Sequence, residues 1–72
     1  SFLFEPTEVL DVQFSQEGED GMQSVTLIPK TPLQTPCGTL NFPAGKPVFF
    51  SKVILHEGAI IPQSGGVIRP AN

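Results

Sequence analysis

Apolar and polar positions alternate along much of the chain with a period of two, the spacing of strands rather than helices. Residues 9–15 place Leu10, Val12 and Phe14 on one side and Val9, Asp11, Gln13 and Ser15 on the other. This reads as a half-buried antiparallel strand with one polar face. A polar, acidic turn follows at residues 16–21, with glycines at 18 and 21. Alternation resumes over residues 22–28, where Val25 and Leu27 share a face with Gln23, opposite Met22, Ser24, Thr26 and Ile28. Two such runs across a short glycine-bearing loop predict a hairpin.

Residues 29–38 (PKTPLQTPCG) carry three prolines, which lack the amide needed for ladder pairing and predict an extended connector between sheet layers. Beyond it, residues 39–42 set Leu40 and Phe42 on one face, and residues 43–46 form a turn. The most hydrophobic run, residues 48–55, has Phe49, Val53 and Leu55 on one side and Val48, Phe50 and Ile54 on the other. A strand apolar on both faces is either central to a core or covered by a partner. Ser51 and Lys52 interrupt it in a way that suits a β-bulge. Turns at 56–58 and 62–66 frame short strands at 59–61 and 67–69.

Helices are discounted by punctuation. Eight prolines and seven glycines are spread so evenly that the longest stretch free of both is residues 7–17, which itself alternates like a strand. The expectation is an all-β protein: one small domain over residues 1–72, an antiparallel β-barrel or β-sandwich of five to seven short strands. An apolar N-terminal arm, residues 1–6, precedes the first strand, with Phe2, Leu3 and Phe4 consecutive and Pro6 ending the run.

Size then changes the picture. A chain of 72 residues and 7.7 kDa buries only about 60 % of its unfolded surface, the marginal end for independent folding. Small domains offset this with disulfides, metals or neighbours, but the lone Cys37 cannot form an internal disulfide, and one histidine with one cysteine disfavours a closed zinc site. Association, with itself or with a larger assembly, is the remaining route. The net charge of −3 is unevenly placed: Glu5, Glu8, Asp11, Glu17, Glu19 and Asp20 precede residue 21, whereas Lys30, Lys46, Lys52 and Arg69 all follow it. Four scattered bases make no phosphate-tracking stripe, and the chain has no Trp or Tyr for stacking, so nucleic-acid binding is disfavoured. No run approaches the roughly 20 apolar residues that cross a bilayer.

Three groups of residues could carry chemistry. Glu17, Glu19 and Asp20 between two glycines have the ingredients of a calcium loop, without the alternating ligands and distal bidentate glutamate of an EF-hand. Cys37 and His56 are the only nucleophile–base pair available; no orienting acid is spaced for them, and a proline-flanked cysteine is expected to be buried and inert. Pro29 and Pro32 form a PxxP, while Thr31-Pro32 and Thr35-Pro36 could be proline-directed phosphorylation sites, although a connector uses prolines for its own geometry.

The segment GTLNFPAGKPVFFSKVIL, residues 38–55, resembles the glycine-turn hairpin of Calx-β modules, β-sandwiches that bind calcium or mediate adhesion. The resemblance implies a hairpin across residues 43–46. The chain departs from that family's pattern in being short, in having Pro47 after the turn, and in carrying His56-Glu57 where an acidic pair is expected.

The sequence therefore predicts a non-catalytic structural or interaction module, without cofactor, that packs into a larger or symmetric assembly; a virion decoration protein or a small adaptor is an example. Its expected partner is protein, met through Phe2, Leu3, Phe4, Phe50 and Ile54. The alternative is an extracellular β module binding calcium or carbohydrate, with Glu17, Glu19 and Asp20 as its ligands.

Overall fold

Each alternating run becomes a strand, and two local irregularities decide which side chains reach the core. The computed structural model describes residues 2–18 and 20–71. It is all-β, and among the described residues its only helical piece is a single 3₁₀ turn, Pro6–Glu8. Pro6 supplies the fixed φ of a first helical position, and the Glu5 amide donates to the Glu8 carboxylate at 2.9 Å.

Seven strands follow: β1 (Val9–Phe14), β2 (Gln23–Pro29), β3 (Leu33–Gln34), β4 (Asn41–Phe42), β5 (Val48–His56), β6 (Ala59–Pro62) and β7 (Ile68–Pro70). The main sheet has five strands in the order β1-β2-β5-β6, all antiparallel, with β7 also paired to β5. β6 lies along the second half of β5 and β7 along the first half, so residues 59–70 form one interrupted strand beside it. The interruption faces the Ser51–Lys52 bulge. There the Ser51 amide donates to the Val67 carbonyl at 3.0 Å, the Gln63 amide to Lys52 at 2.9 Å, and the Val67 amide to Ser51 Oγ at 2.7 Å. Gly66 passes so close that a Cβ on it would stand 3.1 Å from Lys52 Cβ.

The core is one cluster: Phe4, Val9, Val25, Leu27, Phe42, Val48, Phe50, Val53 and Ile60. Val25 and Leu27 face inward as their alternation predicts. β5 matches its predicted bulge, because the register to β2 slips between Phe50 and Val53. The slip also corrects the facing. Val53 joins Val48 and Phe50 in the core, and Ile54 turns to the outer face opposite Ile61. β1 holds a second, unpredicted bulge: Val9 opposes Pro29 and Asp11 opposes Ile28, leaving Leu10 as the extra residue. Val9 thereby takes the inward position that strict alternation gives to Leu10, which is 62 % exposed.

The proline-rich segment is unpaired over most of its length, and its exception is β3, which forms between Pro32 and Pro36 and pairs with β4 as a separate two-stranded sheet. Thr35 closes its turn, with its buried hydroxyl accepting the Leu40 amide at 3.2 Å. This small sheet contributes Phe42 to the core and packs Leu33 against it. The hairpin implied by the Calx-β resemblance is absent, because β4 pairs backward with β3 while β5 pairs with β2, β6 and β7.

The main sheet ends at β1 on one side and at β6 on the other, and among the described residues no closed barrel forms. The arm reaches across this gap. Phe4 bridges to Ile60 through two backbone bonds, 2.9 and 2.8 Å, and its ring packs edge-on against Phe50 at 5.4 Å and Phe2 at 5.2 Å. No helix among the described residues is long and apolar enough to cross a membrane.

Candidate docking groove between two strand edges

The sequence-derived interface residues differ in burial. Phe4 and Phe50 are 5 % and 1 % exposed and belong to the chain's own core, so their rings have no surface left for a partner. The physical reason is the arm, which folds back on its own sheet through the Phe4–Ile60 bridge. Phe2 and Leu3 are half-buried, and Phe2 packs against the core. Ile54 is 39 % exposed on the outer face of the β5–β6 hairpin.

A further apolar surface lies elsewhere. A groove of about 550 Å³ runs between β1 and the β5–β6 hairpin, where the sheet fails to close. Val9, Val12 and Ile60 form its floor, Leu10, Phe14 and Leu55 stand along it, and Asp11 and Glu57 are its only charged lining residues. Leu10, Phe14 and Leu55 are three of the six large hydrophobics left exposed. Their clustering is not scatter, and contiguous exposed apolar surface of this kind marks contact sites. The β1 bulge causes part of it by turning Leu10 out of the interior.

One wall ends in a two-residue turn. His56 pairs with Ala59, and both central residues have positive φ, 50° at Glu57 and 82° at Gly58, the type I′ geometry that suits the twist of a hairpin. Glycine adopts it freely, but glutamate does so against steric cost, and asparagine is the usual occupant. The Glu57 carboxylate stands 3.2 Å from His56 Nε2, with both side chains well exposed, a contact of little energetic weight.

The other predicted groups keep to their own surroundings. Glu17 and Asp20 lie exposed in the β1–β2 loop, and Glu19 lies outside the described residues. Asp20 Oδ1 accepts the Met22 amide at 3.0 Å, and the Gly18 amide donates to the Met22 carbonyl at 2.8 Å, so the loop is tied to itself. Among the described residues no three metal-ligating side chains converge. Cys37 is exposed rather than buried, because the β3–β4 turn holds it outside the core. A hydrogen bond to the Thr39 hydroxyl, 3.3 Å away, lowers its pKa, helped by the Thr39 backbone and by Thr35. The bonds of Cys37 and His56 run to sequence neighbours, not to each other. Pro29 is buried as the last residue of β2 and Thr35 is buried with its hydroxyl engaged, which removes both from the surface a PxxP ligand or a kinase would read.

The groove was missed in the sequence because Leu10 and Leu55 fit an inward pattern. The available signal was the Val9-Leu10-Asp11 step, two adjacent apolar residues against a charge, which a bulge accommodates. Comparison with family models, curated proteins and solved structures found no match, so no relative supports the Calx-β resemblance of residues 38–55.

Proposed function

We propose that this chain is a non-catalytic interaction module that holds a protein partner in the groove between β1 and the β5–β6 hairpin, as an assembly component or adaptor does. Its architecture reads as a small β-barrel left open along one seam, with the seam as the binding surface. The observation that carries this reading is the coincidence of three exposed hydrophobics with the gap between the two sheet edges. A core this small gains from covering such a surface: at about 25 cal/mol per Å² of apolar area, burying a few hundred Å² adds several kcal/mol before the cost of association.

The test is amide chemical-shift mapping of the labelled protein, against its own concentration and against a neutral valine–threonine strand peptide. Shifts confined to Val9, Leu10, Phe14, Leu55 and Gly58 support the groove as the docking surface. A protein that stays monomeric and shows no shift with peptide, or shifts only on the outer face around Ile54, overturns it.

A further inference from the structure

The edge that borders the groove has a definite backbone phase. The Ser15 amide donates to the Ser24 carbonyl at 2.9 Å and the Ser24 amide to Ser15 Oγ at 2.9 Å, which puts Ser15 and Ser24 at a bonded position in the phase of the antiparallel ladder. Such pairs alternate with non-bonded ones along a strand. With Gln13 opposite Thr26 and Asp11 opposite Ile28, the bonds to β2 fall on Asp11, Gln13 and Ser15. Val12 and Phe14 therefore turn their N–H and C=O groups away from β2, toward the groove. β1 is the terminal strand on that side of the sheet, and no described strand pairs with its outer edge. Free strand edges are templates for a further strand, and proteins ordinarily blunt them.

The charged residues lining the groove are acidic. Asp11 and Glu57 flank the apolar floor, Glu5 and Glu8 precede β1, and Glu17 and Asp20 follow it; the base beside β1 is Lys30, on the β2 side, where its amide donates to the Glu8 carbonyl at 3.1 Å. A second copy offering its own β1 would bring acidic flanks against acidic flanks. Two of the four bases are engaged away from any strand that could fill the edge: Arg69 covers the Phe49 ring at 4.5 Å on β7, a three-residue strand ending in Pro70, and Lys52 sits in the β5 bulge, while Lys30 and Lys46 lie outside the strands.

Resting on the reading of the groove as the docking surface, we propose that its occupant is an extended peptide strand with lysine or arginine at its flanks. It pairs with Val12 and Phe14 as a sixth strand of the main sheet. Main-chain bonds to β1 supply the pairing, the apolar floor takes alternate side chains, and the acidic rim selects the flanks, which is how β-augmentation divides affinity from specificity. Charge at a rim acts mainly on selectivity and association rate.

The probes are three capped strand peptides of alternating valine and threonine, with two lysines, two glutamates or two glutamines at the ends. A fourth carries the lysines and is N-methylated along one edge. Fluorescence polarisation is expected to show the lysine peptide binding at least about tenfold more tightly than the glutamate peptide, with the preference falling as salt rises. The N-methylated peptide is expected to bind at least about tenfold more weakly than its parent. Hydrogen exchange should slow at Val12 and Phe14. The double variant Asp11→Lys/Glu57→Lys should reverse the preference between lysine and glutamate peptides, with an unchanged amide spectrum elsewhere as the control for folding. Equal binding of all three flanks, or binding indifferent to N-methylation, overturns the basic-strand occupant while leaving the groove as a docking surface. Self-association through the groove with no peptide binding overturns it in favour of a second copy. Absence of both overturns the occupant and the groove together.

Discussion

Phe4 tests whether the N-terminal arm belongs to its own domain. The residue is 5 % exposed, bonded twice to Ile60 and stacked edge-on against Phe50 and Phe2. Removing its ring with Phe4→Ala should cost about 3–5 kcal/mol, the range for a buried aromatic cut to alanine. At roughly 0.05–0.15 kcal/mol per residue, the whole chain of 72 residues has about 4–11 kcal/mol of stability, so the alanine variant lies near the edge of folding. Phe4→Leu is the calibrated partner. It keeps most of the volume and loses the edge-to-face contacts, at about 1–2 kcal/mol. With a urea slope near 1 kcal/mol per molar, its midpoint should fall by about 1–2 M. The chain has no Trp or Tyr, so far-UV circular dichroism is the appropriate probe. A midpoint unchanged for Phe4→Leu and Phe4→Ala alike would refute the arm as part of the core. A loss that shrinks as protein concentration rises would refute it differently, by showing that a neighbouring molecule holds the arm.

Other residues give independent checks. Glu57→Asn should relieve the left-handed strain in the β5–β6 turn and raise the thermal midpoint by several degrees, about 1 kcal/mol; a fall in the midpoint would contradict the strain argument. Thr35→Val keeps the shape but strands the Leu40 amide, at an expected cost of about 1–2 kcal/mol in urea unfolding, and a neutral result would show that the bond is dispensable. Cys37 should alkylate with iodoacetamide at a lower pH than an ordinary thiol. The thiolate fraction rises through a lowered pKa, so Thr39→Ala should move the rate profile to higher pH; an unmoved profile would assign the shift elsewhere. Millimolar calcium should leave the thermal midpoint within about 1 °C, whereas a rise of several degrees would make Glu17 and Asp20 ligands after all.

The fold was legible where one face is buried and pairing is regular. Val25 and Leu27 alternate without interruption and face the core as read. The Ser51-Lys52 break in a hydrophobic run marked a bulge because polar residues there cannot continue an inward row. The facing beyond a bulge was harder to read, since one extra residue reverses every later side chain. That reversal moved Val53 inward and Ile54 outward, while in β1 the extra residue is Leu10 itself, which the bulge turns out to the groove. β3 escaped notice because two residues between prolines carry almost no periodic signal, and its pairing with β4 depends on the Thr35 turn. The groove itself was illegible for a different reason. It is bounded by residues from opposite ends of the chain, brought together only when the sheet curls.

The bridge from Phe4 on β6 to Val9 on β1 gives that seam a direction. Four residues, Glu5 to Glu8, span it at one end, partly coiled in the 3₁₀ turn. Among the described residues no such bridge spans the end at Phe14, where the chain leaves in the loop to β2. The seam is therefore laced at one end like a half-fastened boot. Anything that wedges them open pulls on the Phe4 lacing, and anything that bonds across them tightens it. The arm thereby joins the stability of the molecule to the state of its groove.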